Sequence, residues 1–198
     1  STTTTELNYL SGATANIQTQ LNNKLDTGNV YSKDEIALDE IRKAKPFMNI
    51  TCEVTPHHIA LEGTEQPYTR VFVNPPLRTN EDRIALIAGL RDGTVDVIST
   101  DHAPHTIEDK QNGAPGFPGL ETSYAVCNTV LVRQNAFSAK RLSQLMSANP
   151  ARILGLQKGL LQPGYDADLT VIDPDEEWVV NPNEFYSKGK ASPFNGVK

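Results

Sequence analysis

Cysteine is nearly absent: Cys52 and Cys127 are the only two in 198 residues. Both sit in apolar surroundings. That excludes a disulfide-stapled secreted domain and fits buried thiols in a reducing, cytoplasmic compartment. No apolar run approaches the ~18 residues of a membrane span. Ser1–Thr5 is polar with no apolar stretch behind it, so no signal peptide is expected. Basic clusters are missing too. With 18 Lys and Arg against 24 Asp and Glu, the formal net charge is −6, the wrong sign for a nucleic-acid surface. Histidine is scarce, with four in the chain and no His-x-His pair. What is present is length enough for a domain with a sizeable core.

The chain has two textures. Residues 1–36 open with Ser-Thr-Thr-Thr-Thr and continue with Leu7, Leu10, Ile17, Leu21 and Leu25 among Asn, Gln, Thr and Ser. The spacings fit a heptad stripe in part, with too few apolar residues for an isolated helix. Ser32-Lys33-Asp34-Glu35 is a capping box for a helix that Pro46 ends. A strand is predicted over Met48–Thr55, then a possible short one at Val71-Phe72-Val73. Two prolines hold Asn74 on a stiff loop. Thr79 caps a helix through Leu90 that Gly93 stops, and a buried strand follows at Val95–Ile98. Helix, strand, loop, helix, strand is the alternation of a parallel α/β sheet. After a Gly/Pro loop, helices are predicted over Glu121–Gln134 and from Ser138 to Met146. Asn149-Pro150 reads as an N-cap with proline behind it. Residues 167–173 and 177–180 read as two strands of a small β appendage, about 157–182.

All four histidines fall just past the two main strands. His57-His58 follow Ile50–Thr55, and Asp101, His102 and His105 follow Val95–Ile98. In α/β barrels that is the catalytic rim. A carboxylate among histidines can be a metal ligand or a general base. In isolation each has a plainer reading: Asp101 a turn residue, His102 a satisfied structural histidine, Asn74 a turn former. Adjacent residues at a strand end face opposite sides, which weakens His57-His58 as a joint site.

The spacings then carry a resemblance. Cys52-Glu-Val-Thr-Pro-His-His58, Val73-Asn-Pro-Pro-Leu-Arg-Thr79, Asp92–His105 with its Asp-His-Ala-Pro-His ending, and Gly116-Phe-Pro-Gly-Leu-Glu-Thr122 resemble the C-terminal half of dihydroorotases of the larger bacterial type. Asn149–Leu156, Tyr165–Thr170 and Phe185–Lys190 continue it. The resemblance implies the C-terminal part of a (β/α)8 amidohydrolase barrel over residues 37–198. It implies a zinc-dependent cyclic amide hydrolase interconverting dihydroorotate and N-carbamoyl-L-aspartate in pyrimidine biosynthesis. Zinc would lower the pKa of its bound water and polarise the ring carbonyl. On that likeness Asp101 holds metal and hydroxide and shuttles the proton. Asn74 and His105 hold the substrate ring and its carboxylate, the backbone of Pro118 and Gly119 contacts the ring, and His57-His58 are not ligands. Residues 6–25, with 29–36 in the same style, resemble bacteriophage tail-fibre repeats, which implies self-association, as a trimer, without chemistry.

The family's main metal ligands, a His-x-His and two mid-barrel histidines, have no counterpart here. The nearest likeness to the last is Asn29-Val-Tyr-Ser-Lys33, with Asn29 at the ligand position. Either a ligand is lost there, or the stretch belongs to the fibre-like segment. A whole barrel takes ~250 residues. Residues 37–198 would supply two or three βα units, so the chain is expected to need other copies or a missing half, and to be weakly active or inactive alone. The alternative is an assembly protein, or an artificial fusion, carrying an inactive amidohydrolase fragment.

Overall fold

A computed structural model describes residues 33–63 and 72–198. The chain divides into two units, residues 1–50 and 51–198. The fibre-like stretch, its trimer and the Ser32 cap lie outside the described residues. In the first unit, α1 (Lys33–Ala44) matches the predicted helix. Arg42 pairs with Asp39 at 2.8 Å and Lys43 with Glu40 at 2.7 Å, both one turn apart. The two cations also sit at the helix C-terminus, where the backbone dipole favours them.

The second unit is built on two parallel strands, β1 (Glu53–Val54) and β2 (Val97–Ile98), with Glu53 opposite Val97 and Val54 opposite Ile98. Hydrogen bonds extend the pairing on both sides: Asp96 N–H to Cys52 O at 2.8 Å and Ser99 N–H to Val54 O at 3.0 Å. The crossover holds α2 (Pro56–Ala60) and α3 (Asn80–Asp92). Local chemistry fixes α3 at both ends. Thr79 and Asp82 form a reciprocal capping box, and Gly93 closes the helix at φ +89°. Ile87 and Leu90 face inward, whereas Ile84 is exposed.

Beyond β2, the Gly/Pro loop contains a helix the sequence reading omitted, α4 (Ile107–Gln111), capped by Thr106 with Asp109. The predicted helix at 121–134 is α5 (Leu120–Cys127), which widens into a π-helix over Asn128–Gln134. Next comes α6 (Ala139–Ser143), capped by Ser138 as predicted, which runs through a second π-helical stretch (Gln144–Ala148) into α7 (Asn149–Ile153). Ile59, Leu90, Val95, Cys127, Leu131, Leu142 and Leu145 are almost wholly buried and form the body of the core. A separate cluster joins Val73 and Phe117 to Val180, Phe185 and Phe194, so the C-terminal tail packs under the loops that follow the strands.

Four expectations are corrected. The strand over Met48–Thr55 is only Glu53–Val54, because only there does β2 supply a partner ladder. Phe72 and Val73 pair with no strand; Val73 is instead a core residue. Asn149 does not cap a helix. It is helical itself, and its amide donates to Asp96 O at 2.7 Å, tying α7 to the start of β2. The β appendage is absent: residues 167–173 and 177–180 carry no strand, with Leu169 68%, Val171 98% and Val179 58% exposed. Alternating apolar residues make a strand only against another backbone, and here only Val180 is met by one, its N–H donating to Val197 O at 2.9 Å and its O accepting from Gly196 N–H at 2.8 Å.

Candidate active site

Both strands point their C-terminal ends at the same rim, the usual place for ligands on parallel α/β sheets. Asp101 stands three residues past β2 with φ +48°. That left-handed conformation is uncommon outside glycine, and Asp tolerates it better than most residues. It ends the extended strand and leaves Asp101 exposed. The segment 117–120 lies alongside. Phe117 bridges His102 in parallel fashion, and Ala103 N–H donates to Phe117 O at 3.1 Å. His102 Nδ1 accepts from Gly119 N–H at 3.1 Å and Leu120 N–H at 3.3 Å. Its proton therefore sits on Nε2, and the ring serves as an anchor for that segment. Gly119 approaches the strand end so closely that a Cβ there would lie 2.8 Å from Thr100 O. Pro118 and Gly119 are thus buried against the backbone that carries Asp101.

Asn74 is exposed on the loop between Val73 and a cis Asn74–Pro75 bond. Two contacts tie this loop to the rim. Gly116 N–H donates to Phe72 O at 2.8 Å. His58 Nε2 donates to Pro75 O at 3.0 Å, while its Nδ1 meets the Thr55 hydroxyl at 2.7 Å. His105 is half-buried. Gly189 of the tail runs so close to it that an added Cβ would lie 3.0 Å from His105 O.

His57 and His58 are not at a strand end but on α2, with ring centroids 4.5 Å apart. They therefore do not face opposite sides. His57 is 2% exposed, with its ring edge-on to Phe117 at 5.0 Å and Nε2 without a hydrogen-bond partner. Burial, helped by the neighbouring His58, pushes its pKa down to about 3. It is a neutral core residue. Burial likewise pushes Cys127 up to about 12, so that thiol is inert.

All four histidines lie within the described residues, yet no three His, Cys, Asp or Glu side chains there come together to hold a metal ion. Asp101 offers one carboxylate, and His102 Nδ1 is already engaged. These residues do not fit a metal centre by themselves. The sequence reading also missed Lys110, whose ammonium joins the two loops. Its signal was available: Thr106-Ile-Glu-Asp109 is a capping-box spacing inside a supposed loop.

The parallel strands, the carboxylate at the end of β2 and the family-model match over residues 14–198 make this chain a member of the amidohydrolase family. Its described part is a fragment of that family's α/β barrel. Among curated proteins, it is 51% identical over 150 residues to the dihydroorotase of Clostridium botulinum, which covers 76% of this chain and 37% of that protein. It is 46% identical over 182 residues to the dihydroorotase of Caldanaerobacter subterraneus, 88% and 42% of the two lengths. Among solved structures it superposes on the L-hydantoinase (dihydropyrimidinase) of Arthrobacter aurescens with a TM-score of 0.77 at 31% identity, covering 91% of this chain and 44% of that one. The chain spans about two fifths of the length of these curated relatives. The match begins at residue 14, within the fibre-like stretch, and the tail-fibre likeness draws no support from it.

Proposed function

We propose that this chain is the C-terminal portion of a dihydroorotase-type cyclic amide hydrolase. The observation that carries the reading is the rim itself: an exposed aspartate turned out of the strand end, flanked by the buried Pro118-Gly119 segment and braced to the Asn74 loop. On this reading Asp101 accepts the proton of the attacking water and returns it to the leaving ring nitrogen. Asn74 and His105 hold the ring and its carboxylate, with Pro118 and Gly119 lining the ring's edge through their backbone. Zinc is the metal the resemblance implies, and most of its histidine ligands have no counterpart in this chain. The family match runs through residues 29–33, so we read Asn29 as standing at a ligand position. Self-association is part of the same proposal.

Zinc per chain and N-carbamoyl-L-aspartate turnover on one purified sample test the reading. A working site gives stoichiometric zinc, and turnover falls by at least ~100-fold in Asp101→Ala. Addition of a chain carrying the missing barrel strands should raise turnover. If neither chain alone nor the mixture binds zinc or turns over substrate, the second reading takes its place: an assembly protein with an inactive fragment. The lack of a three-ligand cluster among the described residues is what favours that alternative.

A further inference from the structure

Lys110 carries a charge beside the rim that the proposed chemistry leaves unassigned. Its Nζ lies 2.7 Å from Ala114 O, 2.7 Å from Gly116 O and 3.4 Å from Phe72 O. A lysine ammonium has three donors and no acceptor, so three carbonyls saturate it. These acceptors come from two separate loops. Phe72 lies two residues before Asn74, and Gly116 two residues before Pro118. The Phe72 carbonyl also accepts from Gly116 N–H at 2.8 Å, so one oxygen receives two donors from the 110–116 segment.

The sequence fixes the lysine stem as firmly as its head. Thr106 and Asp109 cap α4 reciprocally, Lys110 N–H donates to Thr106 O at 3.1 Å, and Ala114 N–H donates to Asp109 O at 3.0 Å. Carbonyls gathered around one point repel each other unless a cation neutralises their dipoles. Lys110 supplies that charge, and its partial burial holds its pKa below the usual lysine range.

We propose that Lys110 is a positioning residue: its ammonium fastens the loop bearing Asn74 to the segment bearing Pro118 and Gly119, and so sets the gap between the two sides of the substrate grip. The functional part of this statement rests on the hydrolase reading above. Lys110 touches no reacting atom. It acts through the Phe72, Ala114 and Gly116 carbonyls, so its loss loosens binding more than it slows chemistry.

The test compares Lys110→Met, Lys110→Arg and the surface control Lys140→Met in the full chain. Amide hydrogen exchange is read over residues 72–78, 112–120 and, as reference, 80–92. N-carbamoyl-L-aspartate binding is measured by calorimetry and, where turnover occurs, split into KM and kcat. The expected result is exchange faster by about 10-fold in both loops of Lys110→Met with α3 unchanged, and part of that protection recovered in Lys110→Arg. Binding or KM should weaken by about 10-fold with kcat within ~3-fold. Unchanged exchange in the two loops overturns the clamp, as does equal loosening of α3 or the same effect in Lys140→Met. If the wild-type chain binds no N-carbamoyl-L-aspartate while the loops still loosen in Lys110→Met, the clamp is supported and the substrate-grip reading falls instead.

Discussion

Two stretches of this chain have similar apolar alternation and opposite fates. Residues 97–98 became a buried strand, whereas residues 167–179 stayed without a ladder and left Leu169, Val171 and Val179 in water. The difference is not propensity, since both are rich in β-branched residues. Val97 and Ile98 have Glu53 and Val54 beside them, with the π-helical stretch after α6 packed near by. Residues 167–179 meet no second strand among the described residues. Strand formation is a pairwise property of backbones, so a pattern read along one segment states only half of the requirement.

The largest expected effect tests the packed side. Leu131 is fully buried where α5 has widened into its π-helical turn. Leu131→Ala removes three heavy atoms from a core with no exposed edge there, and should cost about 2–5 kcal/mol in urea unfolding. A loss under ~1 kcal/mol would mean that the core tolerates collapse and that the two regions differ less than their burial suggests.

A second, smaller effect sharpens the same contrast through pH. His57 is neutral in the fold down to about pH 3, while an unfolded histidine takes its proton near 6.5. Above 6.5 neither state is protonated at this site, and His57 adds no slope. As pH falls from 6.5 towards 3 the unfolded chain gains a proton the folded chain refuses, so stability declines across that window. Between pH 7 and pH 5 the loss should be about 2 kcal/mol. His57→Phe, which keeps a ring against Phe117, should flatten that slope. A slope that survives in the variant assigns it to other groups.

What the sequence revealed and what it hid divide along this same line. Thr79 and Gly93 announce α3 because caps and left-handed glycines act within one turn. The order strand, helix, strand followed from short runs, and so did the placing of Asp101 at a strand end. Asn149 misled because Asn-Pro is a local cap signal, while its actual partner, Asp96 O, lies 53 residues away in sequence. Separation in sequence also hid the bracing of the Asn74 loop by Lys110, 38 residues from Phe72, and by His58, 17 residues from Pro75. Among the rim residues, the backbone amides that fix His102 belong to a segment 17 residues on, and only the folded chain brings them together.

The smallest effect concerns the unpaired stretch. Val171 is 98% exposed, so Val171→Ser removes no packing in the isolated chain and should change stability by less than ~0.5 kcal/mol. The same substitution should matter once a strand pairs there. In the presence of a chain carrying the missing barrel strands, Val171→Ser should weaken association by a few-fold, as expected for one apolar side chain withdrawn from a ladder. Measured side by side, the two numbers separate a segment that is intrinsically irregular from one that awaits its neighbour. A penalty of ~2 kcal/mol in the isolated chain would show that residues 167–179 already pack, and that their exposure is not what distinguishes them from β2.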